Sequence, residues 1–304
     1  SVPYNTRSYR GAVKKSVLVC TALWLLVCIV FAALRSTVHG EDELKQILNL
    51  PTLGVLPLVR SRKKSERALC LQPEAHSGFS EAVQLMRIRV QKKMREGGMK
   101  VLLVSSASPG EGKTTVAINL AEALAGGGAR VLVDCDLRNP SVARALGLEN
   151  KDGLAEYLRG ETSYQKIVRQ AQTKGLYLVL AGKPDANAAE LLTRPACRPF
   201  FDACRTVFDY VILDTPPAAL LADAAEVAVS ADCALLTIRQ NYAPKRKILE
   251  CAQILSDSKL PVIGCVINYA SGRHASGGYY GYGYGYGYGR RRAQASGDAP
   301  TAGA

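Results

Sequence analysis

A chain of 304 residues can hold one α/β domain of roughly 150–200 residues together with appendages. The formal charge of +13 is uneven, with sixteen Lys/Arg against seven Asp/Glu in residues 1–99; basic excess beside an apolar segment points to a membrane surface, and no nucleic-acid reading module is recognisable. The nine cysteines form no C-x-x-C pair and the three histidines, at 39, 76 and 274, lie far apart, which argues against a disulfide framework or a zinc site and for a main domain in the cytosol.

In chain order, the first predicted element is SVLVCTALWLLVCIVFAAL, residues 16–34, nineteen residues without a charge. At about 1.5 Å per residue this segment can cross a ~30 Å hydrocarbon layer. It is too long for the core of a signal peptide, and no small-residue cleavage site follows it. A transmembrane helix is therefore predicted at 16–34. Arg7, Arg10, Lys14 and Lys15 precede it, while Glu41, Asp42 and Glu43 follow alongside Arg35 and Lys45. The positive-inside rule taken alone would put the N-terminus in the cytoplasm.

Residues 35–78 read as a juxtamembrane linker. It contains a short helix in EDELKQILNL (41–50), a short strand in TLGVLP (52–57) and the basic run RSRKKSER (60–67). The stretch FSEAVQLMRIRVQKKM (79–94) predicts a helix with Ser80 as N-cap and Ala82, Leu85, Met86 and Val90 as its apolar face.

From residue 100, short apolar strands alternate with helical segments. The predicted strands are VLLVSS (101–106), VLVDC (131–135), LYLVLA (176–181), YVILDT (210–215), CALLTI (233–238) and VIGCVIN (262–268). Nearly continuous apolar strands between helices indicate an α/β fold with a parallel sheet covered by helices on both faces. This domain is expected over 79–270. Residues 271–304 read as a disordered tail, poor in core residues. Its stretch GGYYGYGYGYGYGRRR (277–292) gathers six of the fourteen tyrosines: Tyr279, Tyr280, Tyr282, Tyr284, Tyr286 and Tyr288. A glycine at every second position opposes regular structure.

Directly after the first of these strands comes ASPGEGKTT, residues 107–115. The pattern G-x-x-x-x-G-K-[ST] is met at Gly112, Lys113 and Thr114, while Ala107 replaces the first glycine. Phosphate needs consecutive backbone N–H groups curled at a helix N-terminus. Nucleotide phosphates are thus expected on Ala107, Ser108, Pro109, Gly110, Glu111, Gly112, Lys113, Thr114 and Thr115, with Lys113 reaching the β- and γ-phosphates. The strand ends VLVDCDLR (131–138) and VILDTPP (211–217) supply Asp134, Asp136 and Asp214. Strand ends converge on the phosphate loop in such sheets, and three carboxylates there call for a cation, Mg²⁺, with the Thr114 hydroxyl as a further ligand. One carboxylate is left over as a base. Helix capping or turn formation is the alternative role for these aspartates, Asp214 before Thr-Pro-Pro above all. Asn268 ends the last strand and is a candidate for adenine contact or for capping.

These motifs, in this order and with the tyrosine-rich tail, resemble the bacterial tyrosine kinases tied to capsule and exopolysaccharide export. The resemblance runs over about residues 1–290. SVPY before the span and LNLPTLGVLP after it look like the end of the co-polymerase domain that precedes these kinases. The resemblance implies an extracytoplasmic N-terminus (1–15), a span that is the second of two, and a kinase domain and tail in the cytoplasm at the inner membrane. It implies ATP and Mg²⁺ as cofactors, with Lys113 and Thr114 on phosphate and metal, Asp134 and Asp214 on the metal, and Asp136 taking the proton from tyrosine. Implied partners are further copies of the chain in a ring, the polysaccharide polymerisation and export machinery, and a cognate tyrosine phosphatase. The family pattern E-x-x-R-x-x-R, which supports the ring, is here Glu81, Gln84 and Arg87, and Gln cannot replace a bidentate arginine.

Three functions compete at this point. A kinase acting on its own tail explains the glycines: from Ala270 to Tyr284 a Gly-rich chain has an r.m.s. span of about 20 Å, so successive tyrosines can enter an active site. A positioning ATPase of the chromosome- or septum-partitioning kind shares the fold, but its extra loop lysine is replaced by Ser108. A tyrosine-rich scaffold without catalysis would explain the tail and leave the phosphate loop idle.

Overall fold

Val, Leu and Ile occupy both sides of the strands, so each strand has to be covered twice. The structure is a computed structural model and describes residues 6–34, 36–59, 77–220 and 223–271. The basic run 60–67 and the six clustered tyrosines lie outside them. Among the described residues eight strands form one sheet: β1 (Thr52–Pro57), β2 (Val101–Ser106), β3 (Arg130–Asp134), β4 (Arg169–Gln170), β5 (Leu176–Val179), β6 (Tyr210–Asp214), β7 (Cys233–Arg239) and β8 (Val262–Ala270). Their order is β1-β8-β7-β2-β6-β3-β5-β4, parallel throughout except for β4 against β5. The order reverses around β2, with β3 placed beyond β6 on one side and β7 on the other. Loops leaving the C-terminal ends of the strands part there, and that crevice is where ligands bind in open α/β sheets.

Period-two alternation sorts each strand between two cores. Leu102, Val104, Leu132, Ile212 and Leu235 meet α3 (Ser77–Glu96), α4 (Lys113–Leu124) and α5 (Val142–Leu146) on one face. Val101, Leu103, Val133, Leu213 and Leu236 meet helices Leu154–Arg159, Cys197–Val207 and Lys245–Asp257 on the other. The predicted doubly covered parallel sheet is the observed one. The two-residue antiparallel strand β4 has no apolar run to announce it in the sequence.

Two sequence expectations change. Helix α3 starts at Ser77, so Ser80 lies inside its first turn and is not the N-cap. Its buried stripe is Phe79, Val83, Met86, Val90 and Met94, while Leu85 is 36% exposed; at 3.6 residues per turn the 4-3-4-4 spacing keeps those five on one line and swings Leu85 off it. The expected linker also contains part of the domain itself. Helix α2 (Glu41–Leu48) buries Leu44, and β1, which buries Leu53 and Leu56, pairs in parallel with β8 at the sheet edge. Gly54 permits this docking: a Cβ there would meet Met86 Cβ at 2.9 Å.

Helix α1 (Thr6–Leu34) carries the predicted span. Its segment Gly11–Val30 has a mean hydropathy of 2.1 and none of it is buried against the rest of the chain. Twenty residues are long and apolar enough to cross a membrane. The chain that follows is fastened beside the connector after β7. Lys245 N–H donates to Ser36 O (3.0 Å), Asn241 N–H to Val38 O (2.9 Å) and Gln240 Nε2 to His39 O (2.7 Å). Lys245 also pairs with Glu43.

Candidate active site at the phosphate loop

Strand β2 ends at Ser106 and α4 starts at Lys113, so ASPGEG turns the chain at the sheet's switch point. Gly110 and Gly112 make the turn with φ of +82° and +88°, a region that costs other L-residues about 1–2 kcal/mol. Gly112 is constrained twice, since a Cβ there would sit 2.1 Å from Asn268 Nδ2. Ala107, at the first position of the motif, is not among the residues with positive φ, which is why the missing glycine is tolerated.

The loop opens on a cavity of about 330 Å³ lined by Pro109, Gly110, Gly112, Lys113, Thr114, Thr115 and Asp136. These predicted residues are brought together. Ala107, Ser108 and Glu111 are buried behind the loop. The Glu111 carboxylate accepts the N–H of Ser108 (2.6 Å) and of Arg239 (3.3 Å), and burial pushes its pKa up to about 7. Its side chain thus shapes the loop from inside and does not face the cavity. Asn268 is buried as well, and its Nδ2 donates to Glu111 O (2.9 Å). The structure places it as a brace under the loop.

The three aspartates divide by depth. Lys113 Nζ lies 3.3 Å from Asp136 Oδ2, and Asp136 is the one of the three that lines the cavity. Asp134 and Asp214 face each other across β3 and β6 and are fully buried. Asp134 accepts N–H groups from Asp136 (3.2 Å), Ser141 (3.1 Å) and Val142 (3.0 Å). Burial first, then the charge of Asp214, holds the Asp134 carboxyl well above the usual carboxylate range. Thr114 Oγ1 is 2.6 Å from Ser141 Oγ.

Nucleotide and Mg²⁺ fit this donor set. Among the described residues no three His, Cys, Asp or Glu side chains form a ready metal cage. Mg²⁺ asks for none, because it takes one or two carboxylates and completes its shell with other oxygens, phosphate and water among them. Thr114, Asp134 and Asp214 would hold it.

Several residues at the site are not among those to which the sequence assigns a role. Arg138 and Arg144 line the cavity. Arg138 is held by Asp223 through Nε (2.6 Å) and Nη2 (3.1 Å). Arg239 lies between Tyr242 and Tyr269, its guanidinium 4.6 and 4.4 Å from the two ring centres, and Tyr269 lines the cavity too. Position at or a few residues beyond the C-terminal end of a strand is the sequence signal for Arg138, Tyr242 and Tyr269.

A sheet of this order with a phosphate loop at its switch point defines a P-loop nucleotide-binding protein. Residues 99–255 match the AAA domain family. The tyrosine-protein kinase YwqD of Bacillus subtilis is 33% identical over 221 residues, covering 72% of this chain and 93% of that protein. The putative tyrosine-protein kinase EpsB of Ralstonia solanacearum is 33% identical over 257 residues, 81% of this chain and 34% of its own length. The kinase domain of the Escherichia coli tyrosine kinase Etk superposes with a TM-score of 0.70 at 26% identity, over 84% of this chain and all of that one. The chain belongs to the bacterial tyrosine-protein kinases. It spans about a third of EpsB.

Proposed function

We propose that the chain is an ATP-dependent protein-tyrosine kinase that phosphorylates Tyr279, Tyr280, Tyr282, Tyr284, Tyr286 and Tyr288 of its own tail. In this reading it works at the membrane in capsule or exopolysaccharide synthesis and export. The observation that carries the reading is the Lys113–Asp136 pair, 3.3 Å apart at the mouth of the phosphate loop. A phenol has a pKa of about 10 and attacks poorly until a placed base takes its proton. Asp136 is that base. Phosphoryl transfer otherwise asks for positioning and charge neutralisation. Lys113 gives up Asp136 for the γ-phosphate when nucleotide enters, which neutralises the phosphate and frees the carboxylate in one movement. Bound Mg²⁺ would supply further neutralisation of phosphate charge. Thr114, Asp134 and Asp214 serve it, and the Asp134 contacts to Ser141 and Val142 keep the β3–α5 loop folded over the site.

The proposed orientation puts α1 across the membrane with the kinase domain on the ATP-containing side. Homo-oligomers are the proposed assembly, in a weakened ring. Arg87 is drawn onto its own helix, with Nε 2.9 Å from Gln84 Oε1 and Nη1 3.3 Å from Gln91 Oε1.

The test is incubation of the full chain with Mg²⁺ and ATP, followed by mass-spectrometric mapping. Label on the clustered tyrosines is expected, and Lys113→Met is expected to lower it by a factor on the order of 10³ with thermal stability retained. Free phosphate released without any phosphotyrosine would replace the kinase by a positioning ATPase.

A further inference from the structure

Three consecutive carbonyl groups of the phosphate loop are each taken by a different side chain from the ends of β7 and β8. Tyr242 Oη donates to Pro109 O (3.1 Å), Arg239 Nη1 to Gly110 O (3.2 Å) and Asn268 Nδ2 to Glu111 O (2.9 Å). In a trans peptide the N–H points opposite to the C=O of the same unit. Drawing these three carbonyls toward β7 and β8 therefore turns the N–H groups of Gly110, Glu111 and Gly112 the other way. Among the described residues the N–H groups of Gly110 and Gly112 meet no acceptor in the chain, and both residues line the cavity.

The three donors are themselves held. Asn241 adopts φ +55° and so turns Tyr242 back toward the loop. Arg239 is stacked between Tyr242 and Tyr269, and its backbone N–H is anchored on Glu111 Oε1 at 3.3 Å. Asn268 Oδ1 accepts the N–H of Tyr269 (2.9 Å). A peptide unit that is free to rotate must be reoriented when an anion arrives; one already held need not be.

We infer that Tyr242, Arg239 and Asn268 are positioning residues that fix the amides of the phosphate nest before nucleotide binds. The inference rests on the nucleotide reading of this site and adds that its affinity is set by three side chains from distant strands. The rival arrangement is that the Tyr242–Arg239–Tyr269 stack serves as a platform for the nucleobase.

Tripolyphosphate separates the two, because it has the phosphates of ATP and no base. Dissociation constants of the full chain for ATP and for tripolyphosphate are compared with those of Tyr242→Phe, which keeps the ring and loses only the donor. Asn268→Leu, another neutral loss of a donor, is the second variant. Roughly threefold to tenfold weaker binding is expected for each variant, by the same factor for ATP and tripolyphosphate, with the melting temperature of Tyr242→Phe unchanged. Loss confined to ATP, or no loss in Tyr242→Phe, overturns the inference while the nucleotide site stands. Absence of binding by the wild-type chain to either ligand overturns the nucleotide site and the inference together.

Discussion

Helix α4 separates two cavities of opposite character. At its N-terminus the phosphate loop encloses about 330 Å³ among glycines, Lys113, Asp136 and open N–H groups. Two turns further on, Ile118 and Glu122 line a larger cavity of about 420 Å³ whose other walls include Leu132, Leu146, Leu176 and Leu178. The smaller cavity is the one proposed to carry the chemistry. Size counts for less than the presence of groups that fold up unsatisfied: donors aimed at a common point bind an anion, whereas aliphatic walls offer nothing to orient a phosphate. The larger cavity holds one group out of place. Glu122 Oε2 is buried without a hydrogen-bond partner, and burial pushes its pKa up to about 7.

If the two ends of α4 are independent, damage at one should not reach the other. Ile118→Ala has the largest expected effect on stability, about 3 kcal/mol, with nucleotide affinity within twofold of wild type. Chemical denaturation and nucleotide titration check this, and joint loss of both would abolish the distinction. Gly112→Ala should cost about 2 kcal/mol for its φ. It should also weaken nucleotide binding more than tenfold, because the new Cβ displaces Asn268. Calorimetry on both variants would sharpen the contrast, since Gly112→Ala should lose affinity out of proportion to stability.

Glu122→Gln should have the smallest effect, with a sign set by pH. The folded protein keeps the Glu122 proton up to about pH 7, whereas the unfolded chain releases it near the ordinary carboxyl value. Wild type therefore loses stability as pH rises from about 4.5 through 7, and the Gln variant does not. The variant should be more stable at pH 8 by about 1–2 kcal/mol, allowing for solvent screening of a partly exposed group, and equal to wild type near pH 4. Glu111 titrates in the same window in both proteins and cancels. Thermal unfolding at the two pH values decides; a variant no more stable at pH 8 would mean that Glu122 is solvated.

Local chemistry is legible in the sequence strand by strand. VLLVSS, ASPGEGKTT and the helix behind them are continuous in sequence, so Lys113 and Thr114 could be placed from spacing alone. Asp136 could be brought to Lys113 because strand ends converge in any sheet of this class. A contact with a neighbour far along the chain is not legible there. Nothing in EAVQLMRIR distinguishes the line through Val83 and Met86 from one through Leu85 until β1 and α4 are in place. The bracing role of Asn268 depends on a carbonyl 157 residues away, and the Tyr242 contact with Pro109 spans 133.

The sequence by itself determined which strands bury both faces, which helix begins with a phosphate-sized bend, and which segment is apolar enough for lipid. Those properties belong to residue type and short spacing. Only the tertiary structure decided that TLGVLP joins the sheet, that Glu111 turns inward, and that Asp134 lies deeper than Asp136. Each of these depends on which buried polar atom finds which partner. The order β8-β7-β2 settles that pairing by bringing the ends of two late strands against an early loop.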